Sequence, residues 1–253
     1  MVSKERICSK EGSNLRIEAI LALVLLGGVL FSGCISSPNC VVGSGNVVNE
    51  TRSVDSFNSI DLRGSGALFL SQGSQQPLRI EAEDNILKVL TTRVESRKLI
   101  IGSDSCISAT KPIRIYANAK DINSLEVSGS GTITGESMIQ ADSLDLKLSG
   151  SGSMDLNLKA KTLRTEIPGS GTILLRGAAD EQSADISGSG KIAGYYLATK
   201  RSVITISGSG VVEANVSDEI ATRISGSGAV YYRGHPERIS EDISGSGVVR
   251  NTA

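Results

Sequence analysis

The sequence contains no tryptophan, a single histidine (His235) and few aromatic residues, which make up 3% of its 253 residues. One histidine excludes a metal site built from several histidines and a catalytic relay that needs two. The formal net charge is −1, so there is no basic excess to neutralise phosphates, and no nucleic-acid partner is expected. Hydrophobic residues at 39% and charged residues at 21% give the balance of a globular chain, not a disordered one.

The N-terminal region lacks an apolar run long enough to span a bilayer. Residues 19–31 are all apolar or glycine, which is shorter than the ~20 residues of a membrane-spanning helix but typical of a signal-peptide core. The run ends in Leu30-Phe-Ser-Gly-Cys34, which resembles the lipobox of bacterial and archaeal lipoproteins, although Phe31 stands where that motif usually has leucine. We therefore predict a signal peptide at 1–33, lipid attachment at Cys34 and a tether at 34–42.

An uncleaved N-terminal anchor and ordinary secretion are the alternatives, and all three place residues 34–253 outside the cytoplasm. Cys8 would leave with the leader and Cys34 would carry the lipid, so Cys40 and Cys106 remain. In an oxidising compartment these two cysteines could form a disulfide or remain free thiols, and the sequence leaves both open.

The rest of the chain is a repeat built on the tripeptide Gly-Ser-Gly. The tripeptide occurs nine times, starting at Gly43, Gly64, Gly129, Gly150, Gly169, Gly188, Gly208, Gly226 and Gly245. Successive units are 18–21 residues apart, except for one interval of 65 residues. We interpret that interval as about three repeats that have lost the signature. Repetition at this period is typical of solenoid proteins.

The residues around each unit predict strands. The residue two positions before each unit and the residue two positions after it are always aliphatic or Met, as at Ile167 and Ile173. The residue three positions before each unit is mostly charged, as at Glu166. This alternation is typical of a strand with one buried face. A repeat of this length holds about three short strands, so stacked repeats predict a parallel β-helix of about eleven coils, each adding ~4.8 Å. Within the long interval, residues 84–90 are compatible with one short helical turn.

Several segments together resemble the head GIN domain family of putative autotransporter adhesins. They are residues 43–52, residues 57–60, the serial Ile-Ser-Gly-Ser-Gly units and residues 231–236. The resemblance covers roughly residues 43–250. It implies an all-β fold, a single-stranded right-handed parallel β-helix over residues 43–253, in an exported or lipid-anchored envelope protein. The resemblance carries no catalytic residue over to this chain, and no cofactor or metal is expected.

Tyr195, Tyr196, Tyr231 and Tyr232 are the candidate ligand-binding residues. They form two pairs and supply half of the eight aromatic residues. One member of each pair should face outward if the backbone is extended, and exposed aromatics stack on sugars or peptides. The alternative is that they pack on a neighbouring coil.

Three other groups of polar residues have a structural explanation that we favour. Serines that precede the units would form hydroxyl columns, either as a binding stripe or as a self-satisfied ladder. Glu166 and Asp185 share one outward column and could bind Ca²⁺ or act as an acid–base pair. Lys147 and Thr205 flank them, which favours a mixed-charge solvated face. The Gly and Pro on either side of His235 predict that it lies in a loop.

These features predict a membrane-anchored, extracytoplasmic binding or adhesion module without catalysis, at the cell surface or in the periplasm. The expected partners are the membrane, through the N-terminal lipid, and a glycan or an envelope protein. A β-helical carbohydrate-active enzyme and a passive envelope scaffold are the alternatives. Few residues follow the final unit, so we also expect an open solenoid end that pairs end to end with a second copy or with a partner.

Overall fold

Strands form where aliphatic and polar residues alternate along the repeats. The computed structural model describes residues 40–252, and strands account for 69% of the structure. The N-terminal strands are β1 (Val41–Val42), β2 (Val47–Arg52), β3 (Ser59–Gly64), β4 (Ala67–Gln72), β5 (Gln76–Glu83), β6 (Leu90–Glu95), β7 (Lys98–Ser103), β8 (Ile107–Ser108), β9 (Arg114–Ala119), β10 (Ser124–Gly129) and β11 (Thr132–Gly135). The C-terminal strands are β12 (Ile139–Leu148), β13 (Ser153–Ile167), β14 (Thr172–Ile186), β15 (Lys191–Ile206), β16 (Val211–Gly226), β17 (Ala229–Arg233), β18 (Arg238–Gly245) and β19 (Val248–Asn251).

Successive repeats stack in parallel, one above the next. Ile167, Ile186, Ile206 and Ile224 are consecutive partners in adjacent strands, and their side chains are buried. The strands stack into a β-solenoid of about seven turns, with one continuous aliphatic core inside it. The predicted all-β parallel solenoid is confirmed. The expected eleven coils are too many.

The Gly-Ser-Gly units form a stacked corner in which each coil lies against the one before. A Cβ atom at Gly188 would come within 2.2 Å of the Gly169 carbonyl oxygen, and a Cβ atom at Gly190 within 2.5 Å of Ile167 Cγ2. The serine between them donates its amide to the Gly169 carbonyl at 3.1 Å. The two glycines are therefore required by close approach, since the corner has no room for a side chain at either position.

The long interval is one coil and an antiparallel cap, not three lost repeats. β3 pairs in parallel with β7 on one side and with β10 on the other, so the later coil of β7 and β9 stacks outside β3 and β4. Strands β5 and β6 of this interval run in the opposite direction. Strand β5 is antiparallel to β2 and β9, and β6 is antiparallel to β7. Because the chain reverses here, fewer coils fit than the interval's length implied. Helix α1 (Asp84–Leu87) lies in this cap, as predicted.

The first Gly-Ser-Gly unit belongs to the cap and not to the corner column. A Cβ atom at Gly43 would collide with the Glu83 carboxylate, and the Gly45 amide donates to Glu83 Oε1 at 2.6 Å. Of the eighteen flanking aliphatic positions, the fourteen around the seven units from Gly64 to Gly226 are buried. The exceptions flank the first and last units, at Val41, Val47, Ile243 and Val249.

A disulfide joins Cys40 to Cys106, with a Cα–Cα distance of 4.5 Å. It holds β1 beside β8, where the Val41 amide donates to the Cys106 carbonyl at 2.8 Å. Residues 40–42 are thus part of the same compact unit as the solenoid. The predicted signal peptide and Cys34 lie outside the described residues. Within residues 40–252 there is no helix long and apolar enough to cross a membrane.

The final coil is open to solvent. Every residue of β18 is exposed, and Ile239 and Ile243 retain 51% and 40% of their accessible surface. Both continue inner columns of β16, through the pairs Ile220–Ile239 and Ile224–Ile243. Whether this end meets a second copy or a partner stays a prediction.

Candidate functional site

A groove of about 1220 Å³ crosses consecutive coils; we call it the corner groove. It lies where each long strand from β12 to β16 bends, at a corner different from the Gly-Ser-Gly corner. Backbone pairing between adjacent strands skips one residue at this bend, and the skipped residues are Asp142, Lys161, Asp180 and Lys200. The strand geometry therefore sets four charged side chains in a row along the solenoid.

The charges in this row alternate in sign. Lys161 Nζ lies 2.7 Å from Asp142 Oδ1, and Lys200 Nζ lies 2.8 Å from Asp180 Oδ1. Each lysine, through its hydrogen bond and its charge, lowers the pKa of its aspartate, and each aspartate raises the pKa of its lysine. These side chains keep at least half of their accessible surface. The ion pairs contribute little to stability and are accessible to a ligand.

Small residues line the groove beside the charged row. One column consists of Ala141, Ala160, Ala179 and Thr199, which are consecutive register partners in β12 to β15. The column beside it consists of Gln140, Lys159, Ala178, Ala198 and Asn215. Small side chains leave the backbone close to solvent. The groove thus combines a shallow floor with hydrogen-bonding groups on both sides.

The four predicted tyrosines have different environments. Tyr196 is 71% exposed, Tyr195 and Tyr231 are half-buried, and Tyr232 is 5% exposed and belongs to the core. Tyr196 precedes the groove residue Ala198 by two positions and so lies on the same side of β15. Among the four, Tyr196 is the most exposed, and it is two residues along the strand from a residue that lines the groove.

The Tyr195–Tyr196 pair lies in an irregular part of β15. Ala193 pairs with Glu213 and Ala198 with Asn215, so four residues of β15 lie opposite the single residue Ala214. Such a bulge redirects side chains at the surface. This accounts for the different surroundings of two adjacent tyrosines.

The other polar candidates are in a mixed-charge face and a loop. Lys147, Glu166, Asp185 and Thr205 are consecutive partners in one outward column, and Lys147 Nζ lies 3.4 Å from Glu166 Oε1. In the serine column, Ser128 Oγ donates to Asp61 Oδ1 at 3.4 Å. His235 is exposed between β17 and β18. Across residues 40–252, no group of three or more His, Cys, Asp or Glu side chains is placed to hold a metal ion.

Sequence reasoning missed the corner groove. Its signal was present, because Asp142, Lys161, Asp180 and Lys200 follow one another at intervals of 19, 19 and 20 residues, which is the repeat period. The columns next to the Gly-Ser-Gly units are marked by those units. A column in the middle of the repeat has no such marker.

Several solved structures have a similar fold. A putative adhesin from Bacteroides fragilis superposes with a TM-score of 0.79 at 24% identity, covering 83% of this chain and 99% of that one. A putative lipid binding protein from Parabacteroides distasonis gives 0.71 at 23% identity, covering 84% and 99%. A putative adhesin from Parabacteroides merdae gives 0.70 at 22% identity, covering 86% and 100%. These likenesses show a shared fold.

Among proteins with curated functions, none matches the sequence. The family model described as "Putative auto-transporter adhesin, head GIN domain" matches residues 56–236. That span is most of the chain and contains the corner groove and seven of the nine Gly-Ser-Gly units. The chain therefore belongs to the family of putative auto-transporter adhesins with a head GIN domain.

Proposed function

We propose that this protein is a non-catalytic, extracytoplasmic binding module that holds an extended, hydroxyl-rich polymer, such as a glycan, along the corner groove. The observation that carries the proposal is the groove itself, which continues across adjacent coils with a charged side chain in the row at each level, aspartate and lysine in alternation. A site that repeats every ~4.8 Å presents similar contacts to successive units of a chain molecule. A compact metabolite would use only a small part of it.

The groups in the groove suit hydroxyl groups. A hydroxyl both donates and accepts hydrogen bonds, and the row offers aspartate acceptors and lysine donors in alternation. The formal charges of these four residues cancel, so the row does not select a strongly charged polymer. The exposed ring of Tyr196 adds a surface on which a sugar ring can stack.

The location is part of the same proposal. The leader at 1–33 and the lipobox-like sequence before Cys34 support export and lipid anchoring. Membership in an adhesin family supports a surface location.

Binding of the purified protein to a panel of glycans and isolated envelope fractions tests the proposal. Ala178 and Ala198 are exposed in the groove, so we expect Ala178→Arg and Ala198→Arg to block binding without disturbing the core. Thr172→Arg is the matched control, because Thr172 is exposed on the same strand as Ala178 but outside the groove. The expected result is saturable binding that falls at least tenfold in both groove variants and is retained in the control.

Three outcomes would contradict the proposal. Equal binding by wild type and both groove variants would place the ligand elsewhere. Progressive shortening of a bound polymer would make the protein a carbohydrate-active enzyme. Absence of binding at high micromolar concentration, together with an envelope defect on deletion, would favour a passive scaffold.

A further inference from the structure

A second cavity, of about 280 Å³, lies at the capped end of the solenoid; we call it the first-coil cavity. It lies between the first stacked corner, Gly64–Gly66, and the segment that joins β7 to β9. Most of its large side chains are aliphatic: Leu62, Leu90, Ile101, Ile107, Ile113 and Ile115. The cavity shares no lining residue with the corner groove.

The cavity exists because one corner of the array is missing. A Cβ atom at Gly66 would approach Ile115, Ile113 and Leu62 no closer than 3.6 Å, whereas at the corresponding Gly190 it would overlap Ile167. The coil outside Gly66 has no Gly-Ser-Gly turn, since residues 104–113 make a wider connection there. The Cys40–Cys106 disulfide and the β1–β8 pair hold that connection outward, which leaves space where a corner would otherwise lie.

The missing corner also leaves a hydrogen-bond donor at the rim. In each of the seven later units the central serine donates its amide to a glycine carbonyl of the preceding coil, as Ser130 does to Gly64. Within residues 40–252, no glycine carbonyl of a neighbouring coil accepts a hydrogen bond from the Ser65 amide. Ser65 is exposed, so this amide is available to a ligand.

A guanidinium group lines the same cavity as that amide. Arg63 is half-exposed, and its Nε donates to Asp61 Oδ2 at 2.7 Å. The two terminal nitrogens of the group are further N–H donors. Asp61 balances the charge of Arg63, and Glu126 and Glu95 also act on it, so the rim would hold a carboxylate through directed N–H donors and not through net charge.

We propose that the first-coil cavity binds a single unbranched acyl chain of medium length, with its carboxylate at the Ser65 amide and the Arg63 guanidinium. Aliphatic walls favour burial of a hydrocarbon, and the two donors at the rim favour an anionic oxygen over a cationic head group. The ligand is therefore a free fatty acid, because an acyl chain bonded to a protein group has no free carboxylate.

Decanoate is the probe, titrated calorimetrically into the Cys34→Ser protein, which has no acyl chain of its own. We expect saturable binding of one decanoate per chain. Gly66→Leu fills the cavity from inside, because the new side chain points at Leu62, Ile113 and Ile115, and we expect it to weaken binding at least tenfold. Gly73→Leu is the matched control, since a Cβ there meets nothing within 4 Å. The groove variant Ala178→Arg is expected to bind decanoate normally, so this test is independent of the proposed function.

Comparison of head groups completes the test. We expect decyltrimethylammonium, which has the same tail and a positive head, to bind at least tenfold more weakly; equal binding would overturn the role of Ser65 and Arg63. No saturable binding, or equal binding by Gly66→Leu, would overturn the proposal. A crystal soaked with 10-bromodecanoate gives a check that needs no cavity variant. The bromine marks the end of the bound chain, and a bromine position away from Ile107 and Ile113 would exclude this cavity.

Discussion

The guanidinium of Arg233 lies over the ring of Tyr195, 4.2 Å from the ring centre. Arg233 is in β17, so the contact joins the bulge of β15 to a later coil. Thr252 Oγ1 donates to the Tyr195 hydroxyl at 3.4 Å, from beyond β19. The bulged segment thus reaches over the C-terminal coils, and Tyr195 acts as a structural contact there. A cation–π pair of this exposure contributes ~0.5–1 kcal/mol.

The tyrosines should therefore separate into binding and structural residues. Tyr196→Ala is expected to weaken ligand binding and to leave the melting temperature unchanged, since the ring is 71% exposed. Tyr232→Ala removes a buried ring and is expected to lower the free energy of unfolding by ~3 kcal/mol. Thermal melting and glycan binding of both variants make the comparison. Destabilisation by Tyr196→Ala, or loss of binding by a fully folded Tyr232→Ala protein, would contradict this assignment.

The stacked corner should tolerate a methyl group at Gly66 and at no glycine of the later units. Gly190→Ala places Cβ 2.5 Å from Ile167 Cγ2 and 3.0 Å from the Gly171 carbonyl oxygen, and overpacking of this kind costs ~1–3 kcal/mol. Gly66→Ala occupies the same position of its unit with ordinary contacts. It should stabilise slightly, by ~0.5 kcal/mol, because alanine restricts the unfolded chain. Chemical denaturation of the two variants measures the contrast, and equal losses of stability would show that the corner relaxes easily.

Much of the fold could be predicted from the sequence because the repeat period fixes which residues stack. The register of Ile167, Ile186 and Ile206 follows directly from their spacing around the Gly-Ser-Gly units. Strand direction does not follow, because alternation with period 2 is the same in parallel and antiparallel strands. The antiparallel β5 and β6 of the cap were for this reason counted as ordinary coils.

The candidate site was harder to predict than the fold. The groove depends on where each long strand bends, and no residue type marks that bend, which falls at aspartate in one coil and at lysine in the next. The first-coil cavity depends on a corner that is absent, and its walls are ordinary core aliphatics. The tyrosine prediction identified Tyr196 but could not separate it from Tyr232, because burial depends on the local bulge and register.

Loss of the disulfide should destabilise the capped end. The Cys40–Cys106 bond closes a loop with a sequence separation of 66 residues, and by chain entropy it should contribute ~4 kcal/mol. The double variant Cys40→Ser/Cys106→Ser is expected to melt at a lower temperature than wild type and to be insensitive to dithiothreitol. Wild type treated with dithiothreitol should melt like the double variant. An unchanged melting temperature in both cases would mean that the cap is stable without the covalent bond.

Glu83 should make the cap sensitive to acid. Its side chain is buried, and its carboxylate accepts hydrogen bonds from the Gly45 amide at 2.6 Å, the Thr110 amide at 2.9 Å and the Thr110 hydroxyl at 2.5 Å. The hydrogen bond from the Thr110 hydroxyl is the largest cause that lowers the pKa of Glu83 below its ordinary value of 4.5, followed by the backbone donors. Asp84, bonded to Ser44, has a lowered pKa for the same kind of reason.

The sign of the effect follows from linkage. A carboxyl group whose pKa is lower in the folded state adds stability at pH values above its unfolded pKa, near 4.3, and loses that contribution as the pH falls toward the folded pKa. We therefore expect Glu83→Gln to be less stable than wild type at pH 7, and the difference in free energy of unfolding to shrink between pH 5 and pH 3. Glu237→Gln is the control, because Glu237 is exposed in the loop between β17 and β18 and should follow wild type at every pH. Urea denaturation at pH 7, 5 and 3 measures the free energy of unfolding of each protein. If this free energy changes with pH in the same way for wild type and Glu83→Gln, the carboxylate is not what holds the first Gly-Ser-Gly unit against the cap.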